Sequence, residues 1–330
     1  MAVAAPFYKK KLKKAVLRLL SLAVTFAALF GSAFLTLFNF PVPPSLISSA
    51  KSDETPSAPP SGEPSESEPP AAPESSAPSY GNGGLFKSKT VNLYPTDLAG
   101  YSSHGRVVFD GKKDVAALLS SASGLENGKG RRILIYCSHS TESYAESEEN
   151  YSPSSAYSND PEKSVLAVAK ALSDSLSSLG FEVIFDKTAY DLPNRNGAFS
   201  RSGAAALKTD ADLIIDLHRS YLTEDNLTGL RAVASFGGRP AAQVELSVAG
   251  GSEKSLSASS AFAAKLQRAL ENDCPTLTRP TVSPSGNYGY TGDAARLMIS
   301  VGAQSNTLSE ALLTASLLSR AVAAVINGQG

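Results

Sequence analysis

The residues with the greatest chemical potential in this chain are two of its three histidines, His139 and His218. Each stands at the end of an apolar run of strand length, ILIYCS before His139 and LIIDL before His218. In an open α/β sheet that edge is where ligands bind. Two neutral imidazoles meeting there with a carboxylate would form a His-Glu-His zinc site with one position left open. Glu142, in the segment Ser140-Thr141-Glu142-Ser143-Tyr144, and Glu162 are the nearby acids that could supply that carboxylate. Zinc so held turns water into a nucleophile and polarises a carbonyl. The plainer reading of each histidine is a hydrogen-bonded loop residue at a strand end. His104, beside Ser102, Ser103 and Gly105, reads as a solvated loop residue. Cys137 lies two residues before His139 and would share its strand face, but its apolar neighbours argue for a packed thiol rather than a nucleophile. There is no Gly-x-Ser-x-Gly elbow, and residues 124–129 (GLENGK) have the wrong spacing for a phosphate loop.

The elements that must position these groups are legible as continuous apolar runs, which suit strands buried on both faces. Strands are predicted at 132–137, 181–186, 213–218, 243–248 and 297–301. Between the first two, Val165, Val168, Leu172, Leu176 and Leu179 recur at helical spacing, with Pro161 near the first turn and Gly180 at the end. A last helix is predicted to start at Thr307, where Thr307 and Glu310 have capping-box spacing, and to bury Leu312, Leu317, Leu318, Val322 and Val325. The alternation predicts one α/β domain over residues 85–330, a mainly parallel sheet flanked by helices.

The rest of the chain has a different composition. Residues 1–18 form a basic tail with six Lys or Arg and no acid, followed by a run without charge from Leu19 to Phe38. Twenty such residues make a helix of about 30 Å, one bilayer core, so 19–40 is predicted to span a membrane. The next Lys or Arg after it is Lys51, which places the amino terminus in the cytoplasm and the main domain outside. The alternative is a cleaved signal peptide, with small residues at Gly31-Ser32-Ala33, although the apolar run is long for one. Residues 41–84 hold 11 of the 20 prolines, with Ser, Ala and Glu, and read as a disordered tether. The chain's net charge is -1 despite its basic tail. The 312 residues after the tail therefore sum to -7, which argues against a nucleic-acid-binding role. Two cysteines make no disulfide framework.

Three segments carry a resemblance to the stage II sporulation protein P family: ILIYCSHSTESY, DLIIDLHRS and RLMISVGAQSNTLSEAL. They occur in the family's order over roughly residues 130–325, and the anchor plus Pro-rich tether is similar too. The resemblance implies a membrane-anchored zinc hydrolase of the N-acetylmuramoyl-L-alanine amidase type. Such a protein cuts peptidoglycan stem-peptide amides during engulfment and works with a partner transglycosylase. It implies His139 and His218 as metal ligands, with Glu142 as the first choice for the carboxylate and Glu162 the second, and it implies Arg219, Ser200, Arg201 and Cys137 around the site. Ser200 and Arg201 belong to residues 194–201 (NRNGAFSR), which resemble a family segment near the site. The chain also departs from the pattern. Ser300 stands where the family's glutamate would move a proton, Cys137 replaces a histidine, and Ser220 replaces an aspartate. Those changes raise a second expectation, a non-catalytic peptidoglycan-binding or scaffolding pseudoenzyme.

Overall fold

The computed structural model describes residues 84–286 and 288–329. The expected basic tail, membrane span and nearly all of the expected tether lie outside them. A first strand, β1 (Phe86–Val91), is followed by the hairpin β2 (Tyr101–His104) and β3 (Val107–Asp110), then by the short helix α1 (Val115–Ser120). The order continues β4 (Arg132–Tyr136), β5 (Asn150–Tyr151), α2 (Val165–Ser178), β6 (Glu182–Phe185), α3 (Ala198–Ala206) and β7 (Leu213–Ser220). It ends with β8 (Gly229–Phe236), β9 (Arg239–Ala242), β10 (Val244–Ser247), α4 (Glu253–Asp273), β11 (Ala295–Ala303) and α5 (Leu308–Ile326).

The central sheet has the order β10-β11-β7-β4-β6. Strands β11, β7, β4 and β6 run parallel, while the edge strand β10 is antiparallel to β11. Alternation along β4 separates two cores. Ile133, Ile135 and Cys137 join the main core with Val168, Leu172 and Leu176 of α2, Phe262 of α4 and Leu317 of α5. Leu134 and Tyr136 face the other way, against Ile214, Tyr190 and Ala198 and Ala206 of α3. Each fully buried aliphatic side chain contributes roughly 1.5–3 kcal/mol. The unbroken apolar runs of β4 and β7 are what two helical layers require.

Helix α2 starts at Val165, four residues after Pro161, because the Ser164 side chain accepts from the Leu166 amide. It stops where Gly180 takes a left-handed φ of 88°. Helix α5 starts at Thr307 as predicted, with both halves of the capping box formed by Thr307 and Glu310. Glu310 also pairs with buried Arg231. Helix α5 is long and apolar enough to cross a membrane, but most of it is buried, packed on α2 and α4. Two expected core positions are surface residues instead, Leu179 at 47% and Leu312 at 37% exposure.

A four-stranded sheet of order β5-β1-β8-β9 and helices α3 and α4 have no counterpart in the apolar pattern. Helix α4 hides because its inner face mixes polar residues with the apolar ones. Ser255, Ser259, Gln267 and Glu271 are buried there, with Ser259 accepting from the Arg296 amide and Glu271 from the Thr276 and Thr278 amides. Helix α3 packs so closely on the loop between α4 and β11 that a Cβ at Gly203 would lie 2.1 Å from the Gly289 carbonyl oxygen. Gly to Ala inside a helix ordinarily stabilises by about 0.5–1 kcal/mol. Here Gly203→Ala is expected to destabilise by about 1–3 kcal/mol through overpacking, read as a lower urea midpoint.

Candidate metal centre and its cavity

His218 sits near the carboxyl end of β7, and His139 and Glu142 lie on the loop that leaves β4. That loop is held by Asp191, which accepts hydrogen bonds from the amides and hydroxyls of both Ser140 and Thr141. The loop therefore presents His139 and Glu142 on either side of two anchored residues. The Arg219 amide donates to Glu142 Oε2 at 3.1 Å, and the Arg219 guanidinium ties down the carbonyls of Ser143 and Ala156.

The result is a buried His139–Glu142–His218 cluster whose donor atoms lie within 4.8 Å of one another. His218 Nδ1 is 3.3 Å from Glu142 Oε2, and the two imidazole centroids are 5.4 Å apart. Its other nitrogen, Nε2, is 3.0 Å from Asp216 Oδ1 and 2.9 Å from Ser138 Oγ. A carboxylate on the far nitrogen fixes the ring and raises its basicity as a ligand. Asp216 is itself held by Arg296, with Arg296 Nη2 3.0 Å from Asp216 Oδ2 and both side chains fully buried. The donor set fits zinc: two nitrogens and one carboxylate oxygen are the set of open catalytic sites. Donors around an ion with bonds of about 2.1 Å sit roughly 3.4 Å apart, so small side-chain rotations close the observed gaps.

Burial works against charge on His139 and lowers its pKa to about 4, although Glu142 pulls the other way. His139 is therefore neutral and ligand-ready at pH 7. Burial also opposes charge on His218, but Asp216 and Glu142 outweigh it and push its pKa up to about 10. Burial would raise the Glu142 pKa, yet the hydrogen bond and charge of His218 hold it well below the carboxylate range.

The cluster forms the floor of an open cavity of about 640 Å³. One wall is aromatic, with Phe199 edge-on to His139 at 4.8 Å and to Tyr288 at 5.0 Å. Arg195 lies over the Tyr157 ring at 4.8 Å, and its Nη2 is 3.7 Å from Glu142 Oε1. Ser300 lines the cavity, as do Arg219, Glu245 and Arg279.

Several expected site residues lie elsewhere. Glu162 is exposed in the turn before α2, where its amide bonds Asp160, and is not part of the cluster. Cys137 is wholly buried in the main core, opposite Ser138 on the chain, and burial pushes its thiol pKa well up. Ser200 is exposed. Arg201 is spent on the carbonyls of Tyr190, Asn194 and Asn196. It folds residues 194–201 so that Arg195 and Phe199, rather than Ser200 and Arg201, face the cavity. His104 is exposed at the end of β2. Asp216, Asp191, Phe199 and Glu245 did not stand out in the sequence. Asp216 alone had a usable signal, because position i−2 from His218 on a strand shares its face.

Comparison with solved structures finds similarity to the catalytic domain of an endolysin targeting Clostridia difficile, at 14% identity and a TM-score of 0.40, covering 59% of this chain and 96% of that one. The CwlD amidase from Clostridioides difficile, in complex with the GerS lipoprotein, is similar at 14% identity, TM-score 0.37, and 59% and 94% coverage. The N-acetylmuramoyl-L-alanine amidase AmiC2 of Nostoc punctiforme is similar at 11%, TM-score 0.36, and 59% and 94%. Comparison with curated proteins gives no match. The sequence pattern of Stage II sporulation protein P matches residues 52–323, a span that takes in the whole cluster and its cavity, and the chain belongs to that family.

Proposed function

We propose that this chain is a zinc-dependent peptidoglycan hydrolase of sporulation that cuts stem-peptide amide bonds. Residues 19–40 would hold it in the membrane, with the tether 41–84 carrying the domain outside. The observation that carries this reading is the buried His139–Glu142–His218 cluster on the floor of an open cavity. Zinc bound there would supply Lewis acidity toward an amide carbonyl and toward water. His139, Glu142 and His218 would hold it, while Asp216 and Ser138 fix the His218 ring. Phe199 and Tyr288 offer an apolar wall for the substrate backbone, and Arg195 offers a cation for stem-peptide carboxylates. Ser300 in the cavity wall favours the second reading, a peptidoglycan-binding scaffold that works beside a partner transglycosylase.

The full-length chain in detergent tests the first reading on isolated peptidoglycan. It is expected to hold one zinc per chain and to release stem peptides. Free zinc at 100 times its Kd stabilises by about 2.7 kcal/mol. Adding it to the zinc-free chain should raise the thermal midpoint by roughly 5–10 °C for a domain of this size. Chelation should abolish both effects. Zinc binding with wall binding but no released peptide would leave the scaffold reading.

A further inference from the structure

Amide hydrolysis needs a group that takes a proton from water and gives one to the leaving nitrogen. The hydroxyl of Ser300 cannot do this near neutral pH, and Glu142 is committed to His218 and the Arg219 amide within the cluster. The register of the central sheet supplies another carboxylate. Ser300 pairs with His218 on one side and with Glu245 of β10 on the other. Directly paired residues project to the same face. His218, Ser300 and Glu245 thus stand abreast across three strands on the cavity side, and all three line the cavity. Strand spacing puts the Cα atoms of Glu245 and His218 about 10 Å apart. That is room for a water and an amide carbonyl between two inward side chains.

We infer that Glu245 is the proton-transfer residue of this hydrolase, displaced by one strand from position 300. The inference deepens the amidase reading and rests on it. Glu245 is placed for the task by Arg279, whose Nη1 is 3.1 Å from Glu245 Oε2. Arg279 is anchored in turn by Ser220 Oγ at 2.7 Å. The Glu245 side chain keeps 27% exposure while that of Arg279 has 5%. The carboxylate is thus the member of the pair that meets solvent in the cavity. In the reaction, a water oxygen bonds to the amide carbon as Glu245 accepts its proton. The carbon–nitrogen bond then breaks as that proton passes to the leaving nitrogen. Amide and water become carboxylic acid and amine, and Glu245 ends as it began.

The test uses the zinc-loaded full-length chain, isolated peptidoglycan for rates and an uncleavable muropeptide analogue for binding. Glu245→Gln keeps a hydrogen-bonding partner for Arg279 and should preserve the fold. It is expected to release stem peptides 10²- to 10⁴-fold more slowly, with unchanged zinc content and unchanged analogue Kd. Adding Ser300→Glu to Glu245→Gln is expected to restore at least tenfold, because the two positions share a face. A Glu245→Gln variant that cleaves at the wild-type rate would overturn the inference and leave the amidase reading standing. So would one that loses zinc or analogue affinity in step with its rate. A zinc-loaded wild type that releases nothing would overturn the amidase reading itself.

Discussion

Asp216→Ala is expected to lower unfolding free energy by about 3–5 kcal/mol, the cost of stranding a buried charge. Arg296 is wholly buried, and Asp216 is its ion-pair partner; its guanidinium also donates to the Ala249 carbonyl and the Tyr136 hydroxyl and lies over the Tyr290 ring. The Ser138 amide and hydroxyl and His218 Nε2 would lose their acceptor as well. Urea unfolding of the zinc-free chain measures this without reference to metal. Asp216→Ala combined with Arg296→Met should recover most of the loss, since an apolar replacement of a buried pair is often close to neutral. Should Asp216→Ala unfold within about 1 kcal/mol of wild type, the pair would not be anchoring the sheet. Burial alone would raise the Asp216 pKa, but His218 and Arg296 lower it below its usual value. Its contribution is therefore fully present above about pH 4 and is lost as pH falls through the depressed pKa.

His218→Ala is expected to weaken zinc binding by more than about 100-fold, because loss of even an outer partner costs 10- to 100-fold. Glu142→Gln should fall in the same range, and Glu162→Gln should leave affinity unchanged. Competition against a chromophoric chelator reads all three. Equal affinities for His218→Ala and wild type would remove His218 from the site. The same residue sets the pH response. Zinc takes a neutral imidazole, and His218 is protonated below a pKa of about 10. Binding near neutral pH should therefore release a proton, and affinity should climb as pH rises. Calorimetry in two buffers of different ionisation heat detects that proton.

His139, Glu142 and His218 were legible because their types are few and their places follow from strand ends. Three histidines in 330 residues, two of them closing apolar runs, leave few candidates for a metal-binding cluster, and a zinc donor set is a matter of residue type. The α2 and α5 helices were legible for a related reason. Their inner faces are apolar at helical spacing, and Thr307 with Glu310 forms a local cap. Helix α4 was not, because Ser259, Gln267 and Glu271 interrupt its buried apolar face and find their partners only outside the helix, Ser259 at Arg296 and Gln267 at Val108. Only the folded chain decided the rest of the site. Glu162 and Glu142 are both acids near His139 in sequence, and loop anchoring by Asp191 and Arg219 selects Glu142. Glu245 is invisible along the chain, 27 residues from His218 and 55 from Ser300. It enters the cavity through strand register, which is fixed by long-range pairing that residue types alone do not encode.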